Sequence, residues 1–283
     1  MTRPTDDDHG PEGLAADLRT LATRRRALAV LGLTGLGVAG GWAILSGAAG
    51  RAEATVSGTA ADGSVCVEPA AETAGPFPGD GTNSRAGQTV NVLTETGIRR
   101  TDLRPSFGGL NGTAEGLPLQ VEIRLIDVAN GCAPLPGHAV YLWHCDAVGR
   151  YSLYDLPDAN YLRGLGVSDK AGVVRFTTVF PGCYDGRWPH FHFEVFASPE
   201  AAGTGRDALL TSQFALPQAD CAAVYRTEAV YAASKANLAR QSVSRDTVFR
   251  GNTAAQMAVM TLTVRRDAGA GLSATATVGI ARA

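Results

Sequence analysis

From Leu119 to Val128 the chain alternates apolar and polar side chains, the period-two pattern of a strand with one buried face. Asn130-Gly131 then supplies a turn, and His138 to His144 (HAVYLWH) reads as the next strand, so the two are expected to pair as a hairpin. Val173 to Phe180 and Trp188 to Ala197 read as a third and a fourth strand. Ala222 to Arg240 is the one clear helical stretch, with Val224, Tyr231 and Leu238 at helical spacing. Met257 to Arg265 and Leu272 to Ile280 are expected to close the chain as a second hairpin around a glycine-rich turn, while Ser84 to Asn111 stays loop-like. Many short strands with one helix predict a mainly β fold, a β-sandwich with irregular loops and one C-terminal helical segment.

Composition supports that pattern and removes some functions. The 34 glycines and 14 prolines in 283 residues suit a turn-rich β protein. A formal net charge of -2 leaves no basic surplus for phosphate contacts, so nucleic acid is not an expected partner. Residues 1–21 are polar and acidic, and Thr23-Arg24-Arg25-Arg26-Ala27-Leu28 then leads into an uncharged Gly/Ala/Leu-rich run from Ala27 to Gly50. Paired arginines before such a run look like a twin-arginine export signal, with Ala27 where a phenylalanine is usual. A Sec signal or an uncleaved anchor are the other readings of 1–50, and Ala52-Glu53-Ala54 offers a cleavage site. Each version places the rest of the chain outside the cytoplasm, extracellular or at the cell surface. Residues 51–65 read as a linker, and one domain is expected from Cys66 to the C-terminus.

Outside the cytoplasm the five cysteines are free to pair with one left over. Cys132 lies in the first turn and Cys145 at the far end of the following strand, too far apart to bridge at about 3.3 Å per residue. Cys66 is the expected partner of Cys132, and Cys183 with Cys221 is a second candidate pair.

The densest chemistry lies in Pro181 to Phe193, PGCYDGRWPHFHF. On a strand, His190 and His192 share one face while Phe191 and Phe193 share the other, so both imidazoles address one point. The bland reading is a half-buried strand with two polar residues. Against it, the chain has only five histidines, and these two stand beside Tyr184 and Arg187. If the loop after His144 folds back, Tyr151 joins them, with Tyr154 as its competitor. Two phenolates and two imidazoles form a hard, partly anionic set that favours a trivalent cation, Fe(3+) being the common biological choice.

These motifs resemble the intradiol ring-cleavage dioxygenases, the family of catechol 1,2-dioxygenase and protocatechuate 3,4-dioxygenase, in an exported single-domain form. The resemblance runs in order through Gly75-Pro76, the W-H-C-D-x-x-G-R-Y-S run from Trp143 to Ser152, L-R-G at Leu162 to Gly164, and F-P-G-C-Y-D-G-R-W-P-H-F-H-F. It implies a catalytic domain over 66–283, with Tyr151, Tyr184, His190 and His192 as iron ligands. By the same match Tyr151 stays bound and Tyr184 is displaced by substrate. Arg187 falls where the family places an arginine over the substrate ring, and Gln213 matches a glutamine behind the ligands. The loop from Tyr184 to Arg187 is shorter than in the cytosolic enzymes, and their N-terminal helical region is missing.

The implied reaction joins a catechol-type diol with O2 and breaks the bond between the two hydroxyl-bearing carbons, giving a cis,cis-muconate. No flavin, nicotinamide or external reductant is expected. Two rival readings are a secreted non-catalytic β-sandwich binding module and a zinc hydrolase built on H-x-H. The first has no use for a complete Tyr/Tyr/His/His set; the second lacks an obvious third ligand and a carboxylate base beside the histidines.

Overall fold

The computed structural model describes residues 56–267 and 271–281. The export segment expected in 1–50 lies outside the described residues. Among the described residues no helix is long and apolar enough to cross a membrane.

Two small hairpins come first. Strand β1 (Ser57–Thr59) pairs with β2 (Val65–Val67), so structure begins inside the stretch read as linker. Strands β3 (Asp80–Arg85) and β4 (Gln88–Asn91) then pair antiparallel. The latter hairpin lies partly in the segment expected to be loop-like. Its tight turn at Ala86-Gly87, both at positive φ, explains why a short polar run with no apolar alternation still pairs.

The body is a sandwich. One sheet contains β5 (Pro118–Asp127), the two-residue β6 (Ala133–Pro134), β9 (Val173–Val179), β12 (Thr263–Asp267) and β13 (Gly271–Ile280). Strand β5 lies at its centre, parallel to β13 on one side and antiparallel to β9 on the other. The second sheet, in the order β11-β10-β7-β8, joins β7 (Ala139–Trp143), β8 (Arg163–Val167), β10 (His190–Phe196) and β11 (Leu210–Ala215). Leu119, Val121, Ile123, Phe176, Ala274 and Val278 face Val140, Leu142, Phe191, Phe193 and Phe214 in one buried core.

The expected first hairpin does not form: β5 and β7 belong to different sheets. The chain returns to β5 for only two residues, because Pro134 and Pro136 lack the N–H donors that a longer ladder needs. It then crosses to the other sheet, where AVYLW is buried throughout. Strands β8 and β11 are equally devoid of alternation and were not expected.

The helical expectations also change. The stretch from Ala222 to Arg240 divides into α1 (Gln218–Thr227), a 3-10 turn at Ala229–Tyr231 and α2 (Ala232–Leu238). Tyr225 donates to Pro181 O (2.7 Å) and Tyr231 to Phe180 O (2.7 Å). Six residues apart on an unbroken helix, the two would point about 120° apart; the break lets both reach the same loop. Residues Met257–Met260, expected as strand, are part of a third helix α3 (Ala254–Met260), started by a Thr253/Gln256 capping box. The closing hairpin is therefore β12 with β13 alone.

Cys66 and Cys132 form a disulfide, with Cα atoms 6.0 Å apart. Cys183 and Cys221 do not pair. Both are buried free thiols, as is Cys145.

Candidate metal centre

Strand β10 carries two chemistries on its two faces. Phe191, Phe193 and Val195 enter the core between the sheets, while His190, His192 and Glu194 project to the opposite face. That face is also buried, because Ala74, Val92, Leu93 and Ile98 pack over Tyr141, Trp143 and Leu165. The histidines therefore lie beneath a loop layer rather than on an exposed sheet surface.

Two loops bring the tyrosines in. Asp146 caps the turn after β7 by accepting from Val148 N (3.0 Å) and Arg150 N (2.9 Å), which sets Tyr151 at its exit. The second loop, 181–187, is held by α2: Ser234 Oγ accepts from Cys183 N (2.8 Å) and donates to Ala147 O (2.7 Å), so one hydroxyl ties both loops. Their contact is too close for a side chain at Gly182, where a Cβ would meet Asp146 O at 2.4 Å. Gly149, at φ 95°, would likewise carry a Cβ 3.0 Å from that of Tyr184.

The result is a convergence of four donor atoms. His190 Nε2 lies 3.0 Å from His192 Nε2 and 3.4 Å from both Tyr151 Oη and Tyr184 Oη. His192 Nε2 is 3.2 Å from Tyr151 Oη. Tyr151 and both histidines are buried, whereas Tyr184 is half-buried and forms the more open side. Tyr154, the competitor, turns away: its hydroxyl donates to Asn83 Oδ1 (2.6 Å) and accepts from Gly79 N (2.9 Å). His144 is also excluded, held between Thr178 Oγ1 (2.7 Å) and Cys145 O (2.8 Å).

The donor set suits a cation. His190 Nδ1 donates to Trp188 O, which leaves its Nε2 lone pair facing the other three donors. Burial pushes His190 down to about 3, helped by the Arg187 charge, and holds His192 well below its ordinary range, helped by His190. Burial, with Tyr184 next, raises the Tyr151 phenol well above its usual value. These are neutral imidazoles and a phenol enclosed together, and a bound cation would supply the charge that a buried phenolate requires. His192 Nδ1 and Trp143 Nε1 are buried without a hydrogen-bond partner among the described residues, and the two rings stack at 4.9 Å and 7°. Among the described residues no group of three His, Cys, Asp or Glu gathers to hold a metal; the donors here are half phenolic.

Arg187 and Gln213 come together behind the donors. Gln213 pairs with His192 across the β10–β11 ladder, so 21 positions of sequence separation collapse to adjacent strands. Its Oε1 accepts from Arg187 Nη2 (2.7 Å), and its Nε2 donates to Thr73 O (2.8 Å). Arg187 is buried against Asp246, to which Nε donates at 3.0 Å. Burial pushes the Asp246 carboxyl up, but the Arg187 charge, its hydrogen bond and the Trp188 N–H together hold it below the ordinary range.

Two side chains that shape the site were given no role from sequence. Arg163, of the L-R-G motif, is buried and donates to Phe77 O (2.9 Å), Pro78 O (2.7 Å), Ser152 Oγ (3.0 Å) and Ser152 O (3.0 Å). It thereby pins the loop whose Phe77 ring packs 5.0 Å from that of Tyr151. An arginine opening a glycine-rich apolar strand was the available signal. Asp246, in the run SVSRDTVFRG, carries none.

Comparison with known proteins follows the same lines. Residues 99–206 match a family model described as Dioxygenase, a span that includes all four donors, Arg163 and Arg187. A solved intradiol ring-cleavage dioxygenase from Tetranychus urticae is 20% identical, with a TM-score of 0.53 over 71% of this chain and 92% of its own. The chain resembles the intradiol ring-cleavage dioxygenases. The Tetranychus likeness shows the fold. A dioxygenase domain from a carbohydrate-binding fusion of Streptomyces sp. SirexAA-E is 21% identical over 72% of this chain and 99% of its own, at a TM-score of 0.43. Catechol 1,2-dioxygenase from Pseudomonas arvilla C-1 is 18% identical over 66% and 59%, at 0.41. No curated protein matches the chain.

Proposed function

We propose that the protein is a ferric dioxygenase that cleaves catechol-type diols between the two hydroxylated carbons. The observation that carries this reading is the meeting of two phenol oxygens and two imidazole nitrogens against one face of β10, with His190 Nε2 3.0–3.4 Å from the other three atoms and His192 Nε2 3.2 Å from Tyr151 Oη. Tyr151, Tyr184, His190 and His192 would hold the iron. When bound, ferric iron supplies the Lewis acidity that favours phenolate and catecholate and couples the diol to O2.

The remaining steps belong to the protein. Tyr184 stands on the open side, and its Oη is the base for a substrate hydroxyl proton. Tyr151, buried against the Phe77 ring, stays in place. Arg187 lies buried beside Gln213, where its fixed positive charge stabilises negative charge that develops on the ring. Both oxygen atoms of O2 enter the muconate product, so no external reductant is consumed. We propose further that residues 1–50 direct export by a twin-arginine-like route, which carries folded, metal-loaded proteins.

The test is direct. Protein loaded with ferric iron should show a visible tyrosinate charge-transfer band and convert a catechol to a cis,cis-muconate, with one O2 consumed per diol and no reductant added. Protein that holds its iron and leaves every catechol intact would falsify the reading.

A further inference from the structure

Asp246 lies 59 residues after Arg187, in the segment between α2 and α3, and is buried. Its carboxylate has two jobs on two sides. Oδ2 accepts from Arg187 Nε (3.0 Å) and from Trp188 N (2.7 Å), and Oδ1 accepts from Val248 N (2.9 Å) and Phe249 N (3.0 Å), with Arg187 Nη2 at 3.4 Å. The turn that it caps presents Phe249, whose ring centre lies 6.0 Å from Arg187 Cζ and 6.5 Å from the His190 ring.

A buried guanidinium without a counter-charge is strongly destabilised, and one held by a single partner still swings about its long stem. Here Asp246 grips the Nε edge and Gln213 grips Nη2, so the planar group is fixed at two points. A single carboxylate thus sets both the charge and the aromatic ring that stand next to the four donors. Resting on the function proposed above, we propose that Asp246 is a positioning residue for ring cleavage, acting through Arg187 and setting Phe249 against the substrate space.

Asp246→Asn separates this role from plain structural support. An asparagine keeps one oxygen for Val248 N and Phe249 N but turns an NH2 toward Arg187 Nε and Trp188 N. In the iron-loaded variant kcat should fall by about 10²-fold, as for a misplaced catalytic group, with KM, iron content and the visible band nearly unchanged. Added to Arg187→Gln, it should cause no further loss, because its effect runs through the same guanidinium. A full additional loss in the double variant overturns the proposal. Should Asp246→Asn alone fail to fold, the double variant decides: folded and equal to Arg187→Gln supports positioning, unfolded while Arg187→Gln folds overturns it.

A readout free of turnover accompanies these. In the wild type, the Arg187 Nε–H resonance, assigned by its absence in Arg187→Gln, should exchange with water far more slowly than those of exposed arginines such as Arg175. Equal exchange rates would remove the clamp. If the wild type holds iron but cleaves no catechol, the functional reading falls, and this exchange measurement alone judges the Asp246 contact.

Discussion

The Nε2 atoms of His190 and His192 face each other at 3.0 Å in a buried pocket. Because His190 gives its Nδ1 proton to Trp188 O, its Nε2 is a bare acceptor. Burial disfavours imidazolium on either ring, so with no cation the contact is a hydrogen bond from a neutral His192 with its proton on Nε2, and with a cation both Nε2 lone pairs are free to face it. On the function proposed above, the two Nε2 atoms and the two phenol oxygens near them are the ligands of one cation.

Replacing either imidazole tests that statement. His192→Ala or His190→Ala should lose bound iron and ring cleavage together, since each supplies one of four protein donors. Metal analysis of the purified variants decides: full iron occupancy with retained activity would leave H-x-H as an ordinary strand pair.

The alternation HFHF states which face of β10 is polar, and reading it requires no other part of the chain; the same holds for PLQVEIRLID in β5. What escaped were relations that no local period encodes. AVYLW and LTSQFA are buried on both faces, so neither strand announces its sheet. Asp246 reaches Arg187 through a returning segment of which its sequence distance carries no trace, and Gln213, placed behind the ligands by the family resemblance alone, does so through ladder pairing. The mistaken Cys183–Cys221 pairing came from parity, whereas both thiols are core side chains beside Phe180 and Tyr225.

His144 makes stability depend on pH. Burial pushes it down to about 3 from 6.5, opposed by its contact with Cys145 O. Its stabilising share is complete above about 6.5 and is lost as pH falls toward 3, because the unfolded chain takes the proton first. The slope from one such proton is about 1.4 kcal/mol per pH unit. Urea midpoints of metal-free protein between pH 7.5 and 4.5 should fall less steeply in His144→Gln than in the wild type. Parallel curves would show that His144 is not the group responsible.

Arg163 should matter for stability out of proportion to a single charge. A lysine cannot reproduce the fork that serves Phe77, Pro78 and Ser152 at once, and the Phe77 and Ser152 carbonyls would lose this donor while Pro78 O keeps Tyr141 Oη (2.8 Å). Arg163→Lys is expected to cost about 3 kcal/mol by chemical denaturation and to broaden the visible band of the iron-loaded protein through Tyr151. A change below about 0.5 kcal/mol, the scale of ordinary surface substitutions, would mean that the loop over Tyr151 is held by other contacts.

The two tyrosines should behave differently although both face His190 Nε2 at 3.4 Å. Tyr151 is buried against Phe77, while Tyr184 is half-buried on a loop that α2 holds through Ser234 and Asn237. A side chain that must leave for an incoming diol belongs on the open side, and one that must remain belongs under the loop layer. Tyr184→Phe should therefore keep much of its iron and part of its colour, since Tyr151 still supplies a phenolate, yet lose a ligand and a base together. A fall in turnover of about 10²-fold, on the order of 3 kcal/mol, is the expected size. Tyr151→Phe should instead lose iron, because the remaining phenol is the more exposed one. Bound iron, the visible spectrum and muconate formation, measured side by side, separate the two, and wild-type turnover in Tyr184→Phe would assign the dissociating role elsewhere.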